Sequence, residues 1–374
     1  MKKLRLGVIG AGAVTSTIHL PILTRRSDLF EIAGLCDLNF AAVNALGDRF
    51  GISTEKRFSD VEKMISSTEL DAVLILNSGS HSDLVKLALQ AGLEVFCEKP
   101  LVYTKRELEE IREALTLSNN HLMIGYMKSY DPSVKRAVEL IAEDGRPRTV
   151  DVLVLHPSSH SQLATSEISI NLPKISENLR EKFSASAREI EVEALGPLAD
   201  HLGAFYSDIL CGSLIHELSV LRTLGLHVSA IDWVDRWPKS GATNSIVILA
   251  RTADGVRISM RWLYIEDYPE YQEEILWVGE RSSHHIQFAS PYFLRVPTIL
   301  TSITSVSGGL QKSEFGSYFG AFESELEEFY KMATTSRNSG NDLSTAESDL
   351  HVLQLIAKKI GETEGLEIGG DLLK

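Results

Sequence analysis

Over the first 125 residues, short β-branched apolar runs alternate with longer stretches whose apolar residues fall at helical spacing. Leu4–Ile9, Glu31–Cys36, Asp71–Leu76, Glu94–Cys97 and Leu122–Gly125 read as strands, mostly apolar, as strands covered on both faces must be. Between them Phe40–Phe50, Ser82–Ala91 and Lys105–Leu117 read as helices, with Gly51 and Gly92 where a C-terminal cap belongs. Strand and helix in this rhythm predict a doubly wound parallel sheet with crossover helices.

After Tyr126 the rhythm changes. Pro132–Ala142 reads as a helix and Thr149–Leu155 as a strand, whereas His156 to about Leu198 shows little periodicity and reads as a loop-rich insertion. Ala230–Trp237, Asn244–Arg251, Val256–Leu263 and Glu274–Val278 read as strands joined by turn signals such as Ala253-Asp254-Gly255, which predicts a mostly antiparallel open sheet. Tyr318–Thr334 and Ser344–Ile360 return to helical spacing. The expected architecture is therefore an α/β domain over residues 1–126 and an α+β domain over 127–374, whose last helices can pack back on the first domain.

Composition narrows the function classes. At 374 residues, 44% hydrophobic and 24% charged, the chain is too long for one simple core. A net charge of −14 argues against nucleic acid or an anionic membrane surface as partner, because phosphate binding is driven by clustered Lys and Arg. The opening lysines run straight into a strand and glycines rather than a secretory leader, and no apolar run approaches the ~20 residues that span a bilayer. Three scattered cysteines, Cys36, Cys97 and Cys211, predict neither a disulfide framework nor a zinc site, and with them a reducing, cytoplasmic setting. His156, His160, His201, His227, His284 and His285 show no ligand spacing, so no metal is expected. The acidic run Glu323–Glu328 reads as a solvated helix face.

Directly after the first strand stands Gly10-Ala11-Gly12-Ala13-Val14-Thr15, the first two glycines of a dinucleotide fingerprint with Thr15 in place of the third. Glycine there permits the tight turn and close approach of backbone to a pyrophosphate, whose charge meets the positive end of the following helix. Asp37 ends the second strand, where a carboxylate accepts bonds from both ribose hydroxyls of NAD and repels the 2′-phosphate of NADP. Asp37 could instead cap the helix that begins near Phe40. NAD is thus expected over NADP.

Cys97-Glu98-Lys99-Pro100 ends a later strand at the carboxyl edge of the sheet. Together with Gly7–Gly12, His19-Leu20-Pro21, Asn77-Ser78-Gly79-Ser80-His81, Ala91–Leu101 and Gly125-Tyr126, it resembles the glucose-fructose oxidoreductase, inositol dehydrogenase and rhizopine-catabolism (Gfo/Idh/MocA) family. The resemblance implies a Rossmann domain followed by a substrate-binding, oligomer-forming sheet. It implies cofactor contacts from Gly10, Gly12, Ala13, Val14, Asp37, Asn77, Ser78, His81, Glu98 and Lys99, with His19 near the same cofactor. It also implies that Lys99 reaches the reacting oxygen of a sugar-like substrate, where an ammonium stabilises alkoxide charge and passes a proton. Tyr126 and Lys128 follow the last Rossmann strand, where substrate contacts are common, and each could equally be ordinary packing.

The family's second catalytic element, a histidine opening a helix, matches His216 in Gly212-Ser213-Leu214-Ile215-His216-Glu217. Leu214, Leu218 and Leu221 form one helical stripe, and His216 lies roughly 200° from Leu214, away from that stripe. Many relatives carry an aspartate four residues earlier, where this chain has Gly212, so Asp208 or Glu217 could take its place. The expected activity is an NAD-dependent dehydrogenase of a sugar, glycoside or cyclic polyol, with a homodimer or homotetramer as the assembly. The departure at Gly212 leaves two other readings open: NAD-assisted glycoside cleavage, and a sugar or cofactor sensor.

Overall fold

The computed structural model describes residues 2–158, 171–239, 244–293, 295–337 and 339–373. His160 lies outside them. The chain divides into two compact units. The first comprises Met1–Gly125, Leu163–Ile190 and Leu326–Ser348, and the second Tyr126–Gln162, Glu191–Glu325 and Asp349–Lys374.

The first unit holds a parallel sheet of β1 (Leu4–Ile9), β2 (Phe30–Cys36), β3 (Arg57–Phe58), β4 (Ala72–Ile75), β5 (Glu94–Glu98) and β6 (Leu122–Gly125). Their order is β3-β2-β1-β4-β5-β6, with parallel register throughout, the doubly wound arrangement that the pattern predicts. Leu6, Val8, Val73, Leu74, Ile75, Val95 and Phe96 are fully buried, because helices cover both faces. β3 has two residues, too few to leave a pattern in sequence. Chain order reverses between β1 and β4, so the turns after those two strands border the point where such sheets bind ligands. Within this unit Phe329 packs edge-on against Phe96 and Tyr330 against Phe30.

The second unit is built on an eight-stranded sheet among the described residues. Its strands are β7 (Thr149–His156), β8 (Val228–Trp237), β9 (Ser245–Thr252), β10 (Arg257–Tyr264), β11 (Gln272–Val278), β12 (Ser282–Phe288), β13 (Ile299–Val306) and β14 (Gly309–Gly316). The order is β14-β13-β12-β11-β7-β10-β9-β8, antiparallel except for the parallel pair β7 and β10. Alternation is clear on the inner face, where Val150, Val152, Val154, Ile246, Ile248, Ile258, Met260, Ile275 and Trp277 are buried. Helices Pro132–Asp144 and Ile215–Thr223 belong to this unit, and Asp144 bonds His284 of β12 at 2.6 Å.

Three departures from the sequence reading have physical causes. The stretch expected to be loop-rich contains a 19-residue helix, Glu177–Leu195. It buries only Ala194 and Leu195, so it has no apolar stripe to announce it, and its Glu, Lys, Arg and Ala content supplies helix propensity instead. β12 and β14 leave little apolar alternation in sequence, because Ser282–Phe288 is largely polar and Gly309–Gly316 is exposed along its length, and β13 likewise adds to the expected strands. Glu325, expected on a solvated face, is fully buried.

Candidate active site

The turn after β1 closes tightly. Gly10 has φ +105, and a Cβ built on it would lie 2.6 Å from the backbone nitrogen of Asn77, just beyond β4. Only glycine fits both the dihedral and that approach. Gly12, by contrast, faces open space. Thr15, standing where a third glycine was absent, is buried and returns its hydroxyl to the Gly10 carbonyl at 2.8 Å. The first bond of the following helix runs from Ser16 N–H to the Gly12 carbonyl, so the N–H groups of Gly12, Ala13 and Val14 precede the ladder. That is the geometry of an anion cradle.

Asp37 stands beside this turn. Its Oδ2 accepts the Ala11 N–H at 2.7 Å and its Oδ1 the Asn39 N–H at 2.7 Å. The helix Phe40–Phe50 takes Asn39 rather than Asp37 as its N-cap. Each carboxylate oxygen keeps a further lone pair for other donors. Asn77 turns its amide N–H to the Ser78 carbonyl, while its Oδ1 is buried with no hydrogen-bond partner among the described residues. An open Gly12, a carboxylate bonded to the glycine turn and an orphaned carbonyl oxygen fit a dinucleotide carrying phosphates and hydroxyl donors.

His81 is buried, with ring nitrogens 2.8 Å from the Pro100 carbonyl and 2.7 Å from the Asn77 carbonyl. It ties the Asn77 turn to the Glu98-Lys99-Pro100 turn. A neutral ring can donate to one of these carbonyls at a time. Glu98 Oε1 lies 2.9 Å from His19 Nε2, and Glu98 Oε2 accepts the Lys99 N–H at 3.3 Å. Lys99 is half-buried at the end of β5. Among the cofactor candidates of the first unit, contacts join Gly10 with Asn77, Asn77 with His81, and Glu98 with Lys99.

In the second unit, His216 is half-buried on the first turn of the helix Ile215–Thr223. A π-helical stretch, Phe205–Leu214, leads into it, and Trp262 of β10 donates its indole N–H to Ser213 at 2.9 Å, fixing the approach to His216. A Cβ at Gly212 would press to 3.2 Å of the Ser207 carbonyl, a local reason for glycine there. Of the carboxylates that could replace the missing aspartate, Asp208 has its pKa raised by burial, and Glu217 is drawn into a buried cluster.

That cluster forms where the inner face of the sheet stops being apolar. Lys128 bonds Glu273 and stands 3.4 Å from Glu217, with its ammonium 5.2 Å above the Phe288 ring. Tyr271 donates to Glu273 Oε2 at 2.6 Å. His156, Trp262, Tyr264 and Tyr271 gather in ring contact beside it, and burial lowers the His156 pKa. Glu217 is pushed up to about 8, first by burial and further by Glu273, against the pull of Lys128. Tyr126 lies fully buried with Arg222 5.2 Å from its ring and Asp349 bonded to Arg222; burial drives its phenol far above the usual range. Glu273 lies one residue before the strand that the sequence pattern predicts over Glu274–Val278. Extending the period of two by one residue sets Glu273 in line with buried Ile275 and Trp277, and a charge on that parity was the available signal.

Among the described residues no group of three His, Cys, Asp or Glu side chains could hold a metal, and no helix is long and apolar enough to cross a membrane. Residues 4–126 match the model of an oxidoreductase family with an NAD-binding Rossmann fold, GFO_IDH_MocA. An inositol 2-dehydrogenase of Pseudomonas savastanoi pv. phaseolicola is 24% identical over 334 residues, 87% of this chain and 85% of the relative. Inositol 2-dehydrogenase 3 of Saccharopolyspora erythraea is 33% identical over 143 residues, 38% of this chain and 41% of that protein. Among solved structures, scyllo-inositol dehydrogenase from Lactobacillus casei superposes with TM-score 0.70 at 16% identity, over 97% of both chains. UDP-N-acetylglucosamine 3-dehydrogenase from Acidithiobacillus ferrooxidans does so at 0.69 and 16%, over 96% of this chain and 98% of its own. At such identities the structures show a shared fold.

Proposed function

From the match of residues 4–126 to the Gfo/Idh/MocA oxidoreductase model, we propose that the chain is an NAD-dependent dehydrogenase of that family, interconverting a hydroxyl and a carbonyl on a cyclic polyol, sugar or glycoside. Asp37 carries this reading, since its carboxylate is bonded to the glycine turn and keeps lone pairs for ribose hydroxyls. In the proposal Gly10, Gly12, Ala13 and Val14 meet the pyrophosphate, Asp37 the ribose, and Asn77, Ser78, His81, Glu98 and Lys99 the remaining cofactor edge. Bound NAD supplies the hydride acceptor. Lys99 donates a hydrogen bond to the reacting oxygen and stabilises its developing charge, and His216 relays the proton. Tyr126 and Lys128, both buried, support the substrate side from beneath. Residues 1–126 serve as the cofactor domain and 127–374 as the substrate and oligomerisation domain of a cytoplasmic homodimer or homotetramer. The inositol dehydrogenases among the relatives support a polyol as the substrate class.

The test is NAD reduction, followed by nicotinamide absorbance, across inositols, free pyranoses and glycosides. Oxidation of at least one cyclic polyol or sugar with NAD is expected. Release of an aglycone with no net NADH, or a preference for NADP, would overturn the proposal.

A further inference from the structure

One residue beyond His216, Glu217 is 1% exposed, and Lys128 and Glu273, at 3% and 1%, are buried with it. The groups facing this cluster are Lys128 from the turn Met127–Tyr130, Glu273 and Tyr271 at the start of β11, and His156 at the end of β7; Tyr292 faces Tyr271. With both carboxylates ionised, one ammonium would meet two negative charges out of reach of water, an arrangement that burial penalises heavily. His156 does not make up the difference, because its own desolvation disfavours the charged ring. Lys128 is already committed to Glu273, to Glu217 Oε1 and to the Phe288 ring. Glu217 Oε2 is buried and meets no donor among the described residues, whereas a side-chain hydrogen bond with Glu273 contributes to raising Glu217, as a proton between two carboxyl groups would.

We propose that Glu217 is a positioning residue, a buried carboxylic acid whose proton joins it with Lys128, Glu273 and Tyr271 into one neutral network that fixes the helical turn presenting His216. The proposal rests on the reading of His216 as a proton-transfer group, and it adds that the presentation of His216 depends on a proton held elsewhere. The raised pKa of Glu217 agrees in direction. Because the folded protein holds this proton more tightly than the unfolded chain, its contribution is fully present below the ordinary glutamate pKa of 4.5. It is lost as pH rises through about 8.

The experiment uses the full chain without cofactor or substrate. Thermal unfolding midpoints are measured from about pH 5 to about pH 9 for the parent, Glu217→Gln and Glu273→Gln. Alongside, ¹³C-imidazole resonances are followed over the same range, with His216 assigned by His216→Gln. The parent midpoint should fall towards alkaline pH. Glu217→Gln, the uncharged isostere of the acid, should lose that part of the slope. Glu273→Gln should move it to lower pH, since the carboxylate that raises Glu217 is gone. The His216 resonance should show a second inflection where Glu217 titrates, absent in Glu217→Gln. Parallel midpoint curves in parent and Glu217→Gln, or identical His216 titrations in the two, would overturn the proposal. Should Glu217→Gln fail to fold, the direction of the Glu273→Gln shift decides alone, and an unmoved slope there refutes the network. Neither readout uses NAD or a sugar, so failure of the dehydrogenase reading is told apart from failure of this one.

Discussion

Asp37 holds the glycine turn through Ala11 and its own turn through Asn39, which leaves it both structural and available to a ribose. Asp37→Ala should therefore weaken NAD binding by about tenfold or more, the worth of a hydrogen bond to a charged group. It should also narrow the preference over NADP, as titration calorimetry with both cofactors would read. Gly10→Ala asks more of the backbone, because a Cβ at φ +105 would meet the Asn77 nitrogen at 2.6 Å. A loss of about 1–3 kcal/mol in thermal unfolding is expected, together with loss of NAD affinity. For the proposed chemistry, Lys99→Ala and His216→Ala should each lower turnover by ~10²–10⁴-fold. NAD affinity should change little beside turnover, since neither residue belongs to the phosphate cradle or the ribose site, and the double variant should be less damaged than the product of the singles. Full activity in His216→Ala beside an inactive Lys99→Ala would move the second proton group to another residue.

At the scale of elements, the second unit seats charge at the end of an apolar face. β11 alternates until Glu273, whose cross-strand neighbour is Phe288 and whose ion partner comes from the turn after β6. Lys128→Met removes the ammonium bonded to both carboxylates. A buried pair broken on one side costs about 3–5 kcal/mol, so the unfolding midpoint should drop sharply. Adding Glu273→Gln should recover part of that loss, and a double variant no more stable than Lys128→Met would count against a coupled cluster. The helix Glu177–Leu195 illustrates the opposite case, an element held by propensity with almost no buried side chain.

For the whole molecule, the outer face of the eight-stranded sheet leaves Trp233, Leu249 and Ile303 between 38% and 45% exposed, with Arg251, Arg257 and Asp232 paired beside them. Apolar residues on both parities of β9 and β10 call for a cover on this side too. Self-association through the second unit is expected, a dimer or tetramer by sedimentation at micromolar concentration, and Leu249→Arg should weaken it. A monomer at that concentration would reject it. The sequence by itself determined the parallel sheet, the central strands of the antiparallel one and the glycine turn, and it nominated the candidate acid and base residues. It could do so because continuous apolar runs, period-two alternation and short motifs are local, and each follows from what one strand or turn must bury or bend around. Only the tertiary structure decided that Asp37 is bonded to Ala11, that His81 joins Asn77 to Pro100, and that Lys128 lies between Glu217 and Glu273. Those pairings bring together residues from different elements, so no window along the chain contains them.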